Sequence, residues 1–373
     1  MKILFIKKHY NPFGGAERYL ALVAKHLKEQ GNEIYLLTRF WKKSEGFKVI
    51  NIGYYPFFFS NIGFALKAKH IAQKFKNFII FSFERTLYQH IYRASDGCHL
   101  RWLSNRKKYL DSYLKSLSFS FNPKHISIRW LEKKCLKNSK IIITNSYMVK
   151  NDFKYFYGEE ISQKCKVIYN GIDLNIFKPV NDEYKKELRK KLNIPLNGKI
   201  LVFIGSGYFR KGLLYLIDLI KDLSKEYFLI VVGKEKKIKF FKDRVKDLKI
   251  ENRVFFLGRL ENTVTIYQAG DIFVLPTIYD PFSNACLEAM ACGLPVITTF
   301  ANGAGEIVIK HNAGSVINLP PKKESILEEI LKISQDLPKF KIAARKAAEN
   351  YSIENSIKKL LNIFEKFKSK NLY

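Results

Sequence analysis

The sequence predicts an α/β protein of two domains, each a doubly wound parallel sheet. Short continuous apolar runs alternate with helical stripes along the chain, the pattern expected when crossover helices bury both faces of each strand. The alternation stops around Asn170-Gly171 and Lys178-Pro179 and then begins again. The 373 residues are 47% apolar, enough for two cores at roughly 100–200 residues per domain.

Lys2–Ile6 (KILFI) reads as a strand and Lys7–Gly15 as a loop ending in Gly14-Gly15. Ala16–Gln30 places Leu20, Val23, Ala24 and Leu27 on one helical stripe, with Gly31 as a natural stop. Further strands are expected at Glu33–Thr38, Val49–Ile52, Phe78–Phe81, Ile141–Thr144 and Val167–Tyr169. After a polar helix at Asp182–Leu192, the second domain places strands at Ile200–Ile204, Phe228–Val232, Val254–Leu257, Ile272–Leu275 and Val296–Thr298. Helices are expected between them at Leu213–Leu223, Ile238–Leu248, Thr263–Ala269 and Asn284–Ala291, and Lys322–Lys370 reads as helical throughout. The expected domains are 1–174 and 175–351, with a last helix over 352–371 packing back on the first. Sites in open parallel sheets lie beyond the carboxyl ends of the strands, so two such domains facing each other put the site in a central cleft.

Lys and Arg total 65 against 34 Asp and Glu, a formal net charge of +31. That excess calls for an anionic partner: phosphate ligands, nucleic acid or acidic lipid. Residues 1–170 hold 31 basic and 11 acidic side chains, and residues 171–373 hold 34 and 23. The densest stretch, 101–140, has 11 basic residues opposed by Asp111 and Glu132 and interleaved with Trp102, Tyr109, Phe119, Phe121 and Trp130. It suits either a solvated helix face or a helix lying on anionic headgroups. Tyr54–Phe59 reads as a buried loop or an apolar finger reaching into a membrane interface. Five scattered cysteines form no CxxC pair, which argues against a disulfide framework or a zinc knuckle. The first apolar run is too short for a signal peptide. No run of about 18 apolar residues predicts a spanning helix, so a reducing, cytoplasmic location is expected.

Two passages carry chemistry. Gly205-Ser206-Gly207-Tyr208-Phe209-Arg210-Lys211-Gly212 follows a strand and opens a helix. Glycines let backbone approach a phosphate, helix-start N–H groups attract it, and Arg210 and Lys211 add cationic donors. Read without context, the same loop is an ordinary basic turn. The second passage, Asp280-Pro281-Phe282-Ser283-Asn284-Ala285-Cys286-Leu287-Glu288, puts one acid in a loop and another eight positions later on the next helix. From a helix wall, Glu288 is suited to accept both hydroxyls of a ribose, while Ser283 and the helix-start N–H groups suit a phosphate. The structural alternative for Glu288 is a buried acid capping a neighbouring turn.

This second passage resembles the E-x7-E signature of family 4 nucleotide-sugar glycosyltransferases, which have the GT-B fold of two Rossmann-like domains. Arg210–Gly212 (RKG), Asn170–Asp173 (NGID) and the amino-terminal Asn11-Pro12-Phe13-Gly14-Gly15-Ala16-Glu17-Arg18 fit that family as well. The likeness covers essentially the whole chain. Within the family it is similar to the lipopolysaccharide-core enzymes that place glucose on inner-core heptose, through PFGGAER, Ile91–Cys98 and GSGYFRKG. The chain departs from the signature at Asp280, where the family has Glu, so that acid reaches one methylene less far toward the donor sugar.

The resemblance implies a catalytic set of Asp96, Arg210, Lys211 and Asp280, with Asp96 facing the acceptor hydroxyl and His99 its neighbour and competitor. Read by itself, Asp96 is also a turn former before Gly97. The implied donor-binding set is Gly14, Gly15, Gly205, Arg259, Ser283, Asn284 and Glu288. The expected activity is transfer of a hexose, glucose by the family likeness, with retention of configuration and with neither metal nor cofactor. The co-substrate is a nucleoside-diphosphate sugar such as UDP-glucose. The expected acceptor is a lipopolysaccharide core or a similar glycolipid, met by an enzyme peripheral on the inner face of the cytoplasmic membrane. Competing readings are a protein that binds nucleic acid or anionic lipid through charge alone, for which no recognition motif is present, and a sugar-phosphate enzyme on the same scaffold.

Overall fold

The computed structural model describes residues 1–9, 15–41, 47–53, 60–110 and 121–369. The chain divides into two units, Met1–Gly171 with Glu354–Tyr373, and Ile172–Ile353. In unit 1 the strands are β1 (Lys2–Ile6), β2 (Glu33–Thr38), β3 (Lys48–Asn51), β4 (Ile79–Ser82), β5 (Ile91–Arg93), β6 (Ile141–Thr144) and β7 (Cys165–Val167). They form one sheet in the order β3-β2-β1-β4-β5-β6-β7 with every neighbouring pair parallel. Unit 2 holds β8 (Lys199–Ile204), β9 (Tyr227–Val232), β10 (Val254–Gly258), β11 (Ile272–Leu275), β12 (Val296–Thr299) and β13 (Gly314–Ile317). Their order is β10-β9-β8-β11-β12-β13, again all parallel. The strand order reverses between β1 and β4 in unit 1 and between β8 and β11 in unit 2. In doubly wound sheets, the carboxyl ends at such a reversal form the ligand crevice.

Strand cores are fully apolar, as parallel sheets require: Ile3, Leu4, Phe5 and Ile6 of β1 and Ile200 to Phe203 of β8 have no exposed surface. The sequence pattern misses β5 and β13. The first is three residues long and ends in a buried arginine, whose guanidinium lies 4.1 Å over the Tyr19 ring and donates to Asn170 Oδ1 at 2.6 Å. The second opens on Gly314 at φ 139°, where a Cβ would sit 2.0 Å from Val296 O, so a glycine begins the strand where a branched residue was the expected cue. β7 starts two residues earlier than predicted and pairs Cys165 with Ile142. The carboxy-terminal helical stretch is three helices, Lys323–Gln335, Leu337–Glu349 and Ile353–Ser369.

The last helix belongs to unit 1. Phe364 is fully buried with its ring centroid 5.3 Å from that of Phe81, Phe367 stacks on His90, and Ser356 donates to Tyr169 O at 3.0 Å. In unit 2 a buried ion cluster ties helix Asp182–Lys191 to the sheet. Asp271, just before β11, accepts from Arg189 Nη2 and from the Ile200 N–H, both at 2.7 Å, and pairs with Lys185. Burial alone would raise the Asp271 carboxyl, but the Lys185 and Arg189 charges outweigh it and hold the group below the ordinary carboxylate range.

Two outcomes follow from this packing. Phe364→Ala should lower the unfolding free energy by about 3–5 kcal/mol, read by urea titration with retained circular dichroism. A carboxylate depressed in the folded state adds stability that is complete above its unfolded pKa of about 4 and fades as pH falls through the folded value. Urea titrations from pH ~7 to ~3 should therefore show wild-type stability falling below pH ~4. Asp271→Asn should be destabilised by about 3–5 kcal/mol at neutral pH, because buried cations lose their partner, and should lack that part of the acid dependence.

Candidate functional site

The richest cluster lies at the strand-order reversal of unit 2, beyond the carboxyl ends of β8 and β11. After Ile204 the chain runs through Gly205-Ser206-Gly207 into one short helical turn, Tyr208–Lys211. Gly205 N–H donates to Val232 O at 2.9 Å, Tyr208 N–H to Glu235 Oε2 at 2.7 Å, and Tyr208 OH to Gly233 O at 3.0 Å. The first N–H of this turn is thus already taken by Glu235, and what the loop presents is its two cations. Gly212 closes the turn at φ 81°, where a Cβ would lie 2.2 Å from Pro276 O. A side chain there clashes with backbone, so only glycine lets the turn pass so close to the exit of β11. Behind it the helix predicted at Leu213–Leu223 runs Leu213–Ile220.

That close passage aims Lys211 inward. Its side chain is buried and pairs with Asp280 Oδ2. Arg210 donates to Tyr279 O at 2.9 Å and its Nη1 stands 4.0 Å from the same Asp280 oxygen. The two loops are stitched together by Ile278 N–H and Thr277 Oγ1, both bonded to Arg210 O at 3.0 and 3.1 Å. Burial pulls the Lys211 ammonium below its usual value, partly countered by Asp280. Burial would raise Asp280, yet the Lys211 and Arg210 charges overcome it and hold the carboxyl below its usual range. Each charge favours the other's, and both lie in low dielectric where their fields are strong.

The next loop is fixed by a residue the sequence did not single out. Asn302, 2% exposed, accepts through Oδ1 from the Ser283 and Ala304 N–H groups at 3.1 Å and donates through Nδ2 to Thr298 Oγ1 at 2.9 Å. Its only signal was an Asn-Gly pair, which reads as a turn. Ser283 is buried directly before helix Asn284–Ala291, and its hydroxyl does not cap that helix. Asn284 and Glu288 sit four apart on one helix face. Glu288 is 9% exposed and accepts from Tyr267 OH at 2.7 Å. Its carboxylate thus bonds a tyrosine hydroxyl from helix Val264–Ala269.

The structure thus brings Gly205, Arg210, Lys211, Asp280, Ser283, Asn284 and Glu288 to one end of the sheet. Asp280, read as a sugar contact, is bonded to Lys211. Arg259 lies exposed after edge strand β10, which is separated from β11 by β9 and β8.

In unit 1, Gly15 opens the helix Gly15–Glu29, while Gly14 and Tyr54–Phe59 lie outside the described residues. Asp96 stands in the turn between β5 and helix His99–Tyr109, with its carboxylate 65% exposed and 3.4 Å from Arg85 Nη1. That turn is anchored by Glu132, a second residue missed from sequence. Fully buried, Glu132 receives Arg85 Nη2 at 2.9 Å, Tyr157 OH at 2.6 Å and the His99 N–H at 3.1 Å. His99 itself contacts His125 across 3.1 Å, and burial with Arg85 nearby pushes its pKa down to about 3, so it is neutral near pH 7.

Residues 13–176 match the family described as Glycosyltransferase Family 4, and residues 184–352 the one described as Glycosyl transferases group 1. The uncharacterized glycosyltransferase MJ1607 of Methanocaldococcus jannaschii is 28% identical over 215 residues, 54% of each chain, so the chain spans about half the length of that relative. The D-inositol 3-phosphate glycosyltransferase of Corynebacterium glutamicum is 23% identical over 367 residues, 85% of each chain. The lipopolysaccharide glucosyltransferase WaaG of Escherichia coli K12 is 22% identical over 368 residues, 94% of each chain. A crystal structure of WaaG superposes with a TM-score of 0.82 at 21% identity, covering 97% of this chain and 99% of that one. Anabaena HepE in complex with UDP-glucose superposes with a TM-score of 0.75 at 20% identity, covering 98% and 100%. With both sheets and both domain families in place, the chain belongs to the GT-B glycosyltransferases, a family 4 domain followed by a group 1 domain.

Proposed function

We propose that the enzyme transfers glucose from UDP-glucose to a glycolipid acceptor of the lipopolysaccharide-core type, with retention and without a metal. The observation that carries this reading is the buried Lys211–Asp280 pair, flanked by Arg210, at the strand-order reversal of the group 1 domain. The donor chemistry is supported by the likeness to a structure with UDP-glucose bound, and the acceptor class by the likeness to WaaG along 94% of the chain.

In the transfer, the bond from the anomeric carbon to the diphosphate oxygen breaks and one to the acceptor oxygen forms, and the hydroxyl proton passes to the departing diphosphate. Negative charge grows on the diphosphate. Lys211 and Arg210 stabilise that charge from fixed positions, which is worth most where water is excluded. Asp280 holds Lys211 in place before the donor arrives and lies near the sugar once the diphosphate takes over the ammonium. Glu288, steadied by Tyr267, accepts the ribose hydroxyls, and Ser283 with the N–H groups of helix Asn284–Ala291 receives phosphate oxygens. A Cβ at Gly205 would make ordinary contact with the Lys211 side chain at 3.4 Å, so its assigned role is close approach of backbone to the diphosphate. Gly14, Gly15 and Arg259 are assigned to donor binding and Asp96 to the acceptor hydroxyl on the strength of the family likeness.

We further propose attachment to an anionic, cytoplasmic membrane face through unit 1. Helix Pro123–Asn138 exposes Ile126 and Trp130, at 44% and 43%, beside Arg129, Lys133 and Lys137 around a cavity of about 540 Å³. Among the described residues no helix is long and apolar enough to cross a membrane. Juxtamembrane basic residues contribute about 1 kcal/mol each near an anionic surface.

Lys211→Ala and Glu288→Ala should each cut transfer by roughly 10²–10³-fold in protein that keeps its native circular dichroism, with Lys211→Ala also losing about 3–5 kcal/mol of stability because Asp280 is left buried without its ammonium partner. Transfer from radiolabelled UDP-glucose is the measurement, and wild-type turnover in either variant would remove the assignment. Flotation should recover the protein with phosphatidylglycerol vesicles at low salt and not with phosphatidylcholine vesicles. Equal recovery with both would reject the electrostatic attachment.

A further inference from the structure

At the opposite, amino-terminal ends of β11 and β12, unit 2 contains a second cavity of about 420 Å³, a size suited to a small ligand. Its apolar surface comes from Pro179, Val180, Leu294 and Ile342, and its walls are helices Asp182–Lys191 and Leu337–Glu349. No residue of this cavity has a part in the donor chemistry. A strand length of about 13 Å, four residues of β11 at ~3.3 Å each, separates the two ends of the sheet.

Charge around this cavity is out of balance. Lys185 and Lys341 both approach Asp271 Oδ1, Lys341 at 3.5 Å, while Arg189 holds Oδ2. Three cations thus share one carboxylate that is itself 8% exposed. Arg345, four residues after Lys341 on the same helix face, is paired with Glu349 at 2.9 Å and donates to the Phe177 and Ala291 carbonyls. Lys346 and Asp182 complete the charged lining. Lys185, Lys341, Arg345 and Lys346 therefore line the space against Asp182 and Glu349, a surplus of two positive charges, while Arg189 and Asp271 behind the lining offset each other. Burial draws the Lys185 ammonium down to about 8, with Lys341 and Arg189 pushing the same way against Asp271. Like charges gathered away from bulk water repel strongly unless an anion joins them.

From this juxtaposition we infer that the cavity is a second anion site, separate from the donor cluster, which takes a phosphomonoester. Such a group carries a charge of about −1.5 to −2 near neutral pH and three acceptor oxygens, which matches the surplus. Lys341, Lys346 and Lys185 face the phosphate. Leu294, Pro179 and Ile342 receive the apolar part of the ester. A bound ester draws helix Leu337–Glu349 and helix Asp182–Lys191 together across the Gly293 turn, so occupancy raises the thermal midpoint of the protein.

Calorimetry on the full chain with phenyl phosphate, inorganic phosphate and phenol tests this. Wild type should bind phenyl phosphate more tightly than inorganic phosphate and should not bind phenol. Lys341→Ala and Ile342→Glu should each weaken phenyl phosphate at least tenfold, while Lys211→Ala binds it as wild type does. Ile342 is 58% exposed, so Ile342→Glu alters the rim without touching the core and decides the matter if Lys341→Ala fails to fold. Absence of binding to wild type would overturn the site. So would loss of binding in Lys211→Ala with retention in Ile342→Glu, since the heat would then belong to the donor cluster. Equal affinity for phenyl phosphate and inorganic phosphate would overturn the ester.

Discussion

The contact between Lys211 and Asp280 is the constraint around which unit 2 is arranged. These residues lie 69 positions apart and meet because their strands, β8 and β11, are neighbours at the point where the sheet order reverses. Crossovers leave this point toward opposite faces of the sheet, so the loops above it are not covered by their own helices. Gly212 lets the first loop run under Pro276, Arg210 O ties that loop to Thr277 and Ile278, and Asn302 fixes the second loop through Ser283. The cation and the carboxylate are therefore held by backbone on both sides, which would leave little reorganisation for the charge development that the proposed transfer requires.

A buried ammonium is costly without a partner, and Asp280 supplies one. Under the proposed function this carboxylate is the group that an incoming diphosphate would displace from Lys211. Asp in place of Glu at this position fits such a role, since the shorter side chain keeps its charge close to the backbone from which Lys211 approaches. At the other end of β11 the proportions differ: Asp271 is surrounded by Lys185, Arg189 and Lys341. Asp280 thus meets two cations at one end of the sheet and Asp271 meets three at the other.

Unit 1 uses its charge differently. The basic segment around 101–140 includes Glu132, which looked like a minor counter-charge in the sequence. In the structure it is the buried hub that joins Arg85, Tyr157 and the first N–H of helix His99–Tyr109. Through Arg85 it also steadies the Asp96 turn. Arg129, Lys133 and Lys137 of helix Pro123–Asn138 lie around exposed Trp130 and Ile126, whereas Glu132 lies inside.

The alternation of apolar runs and helical stripes by itself determined the two sheets, because strands buried on both faces must be continuously apolar and their crossovers must be amphipathic. The spacing in Asp280–Glu288 likewise determined that one acid would sit in a loop and the other a turn into a helix, since eight residues cover a helix start and one full turn. Strands β5 and β13 were not legible, because a terminal Arg93 and an opening Gly314 carry no local strand preference and are held by distant partners. Tertiary structure alone decided that Asp280 would pair with Lys211, that Tyr267 would meet Glu288, and that Asn302 and Glu132 would hold the loops. Each of those contacts joins residues at least 19 positions apart, a range over which propensity and periodicity say nothing and only strand order brings side chains together.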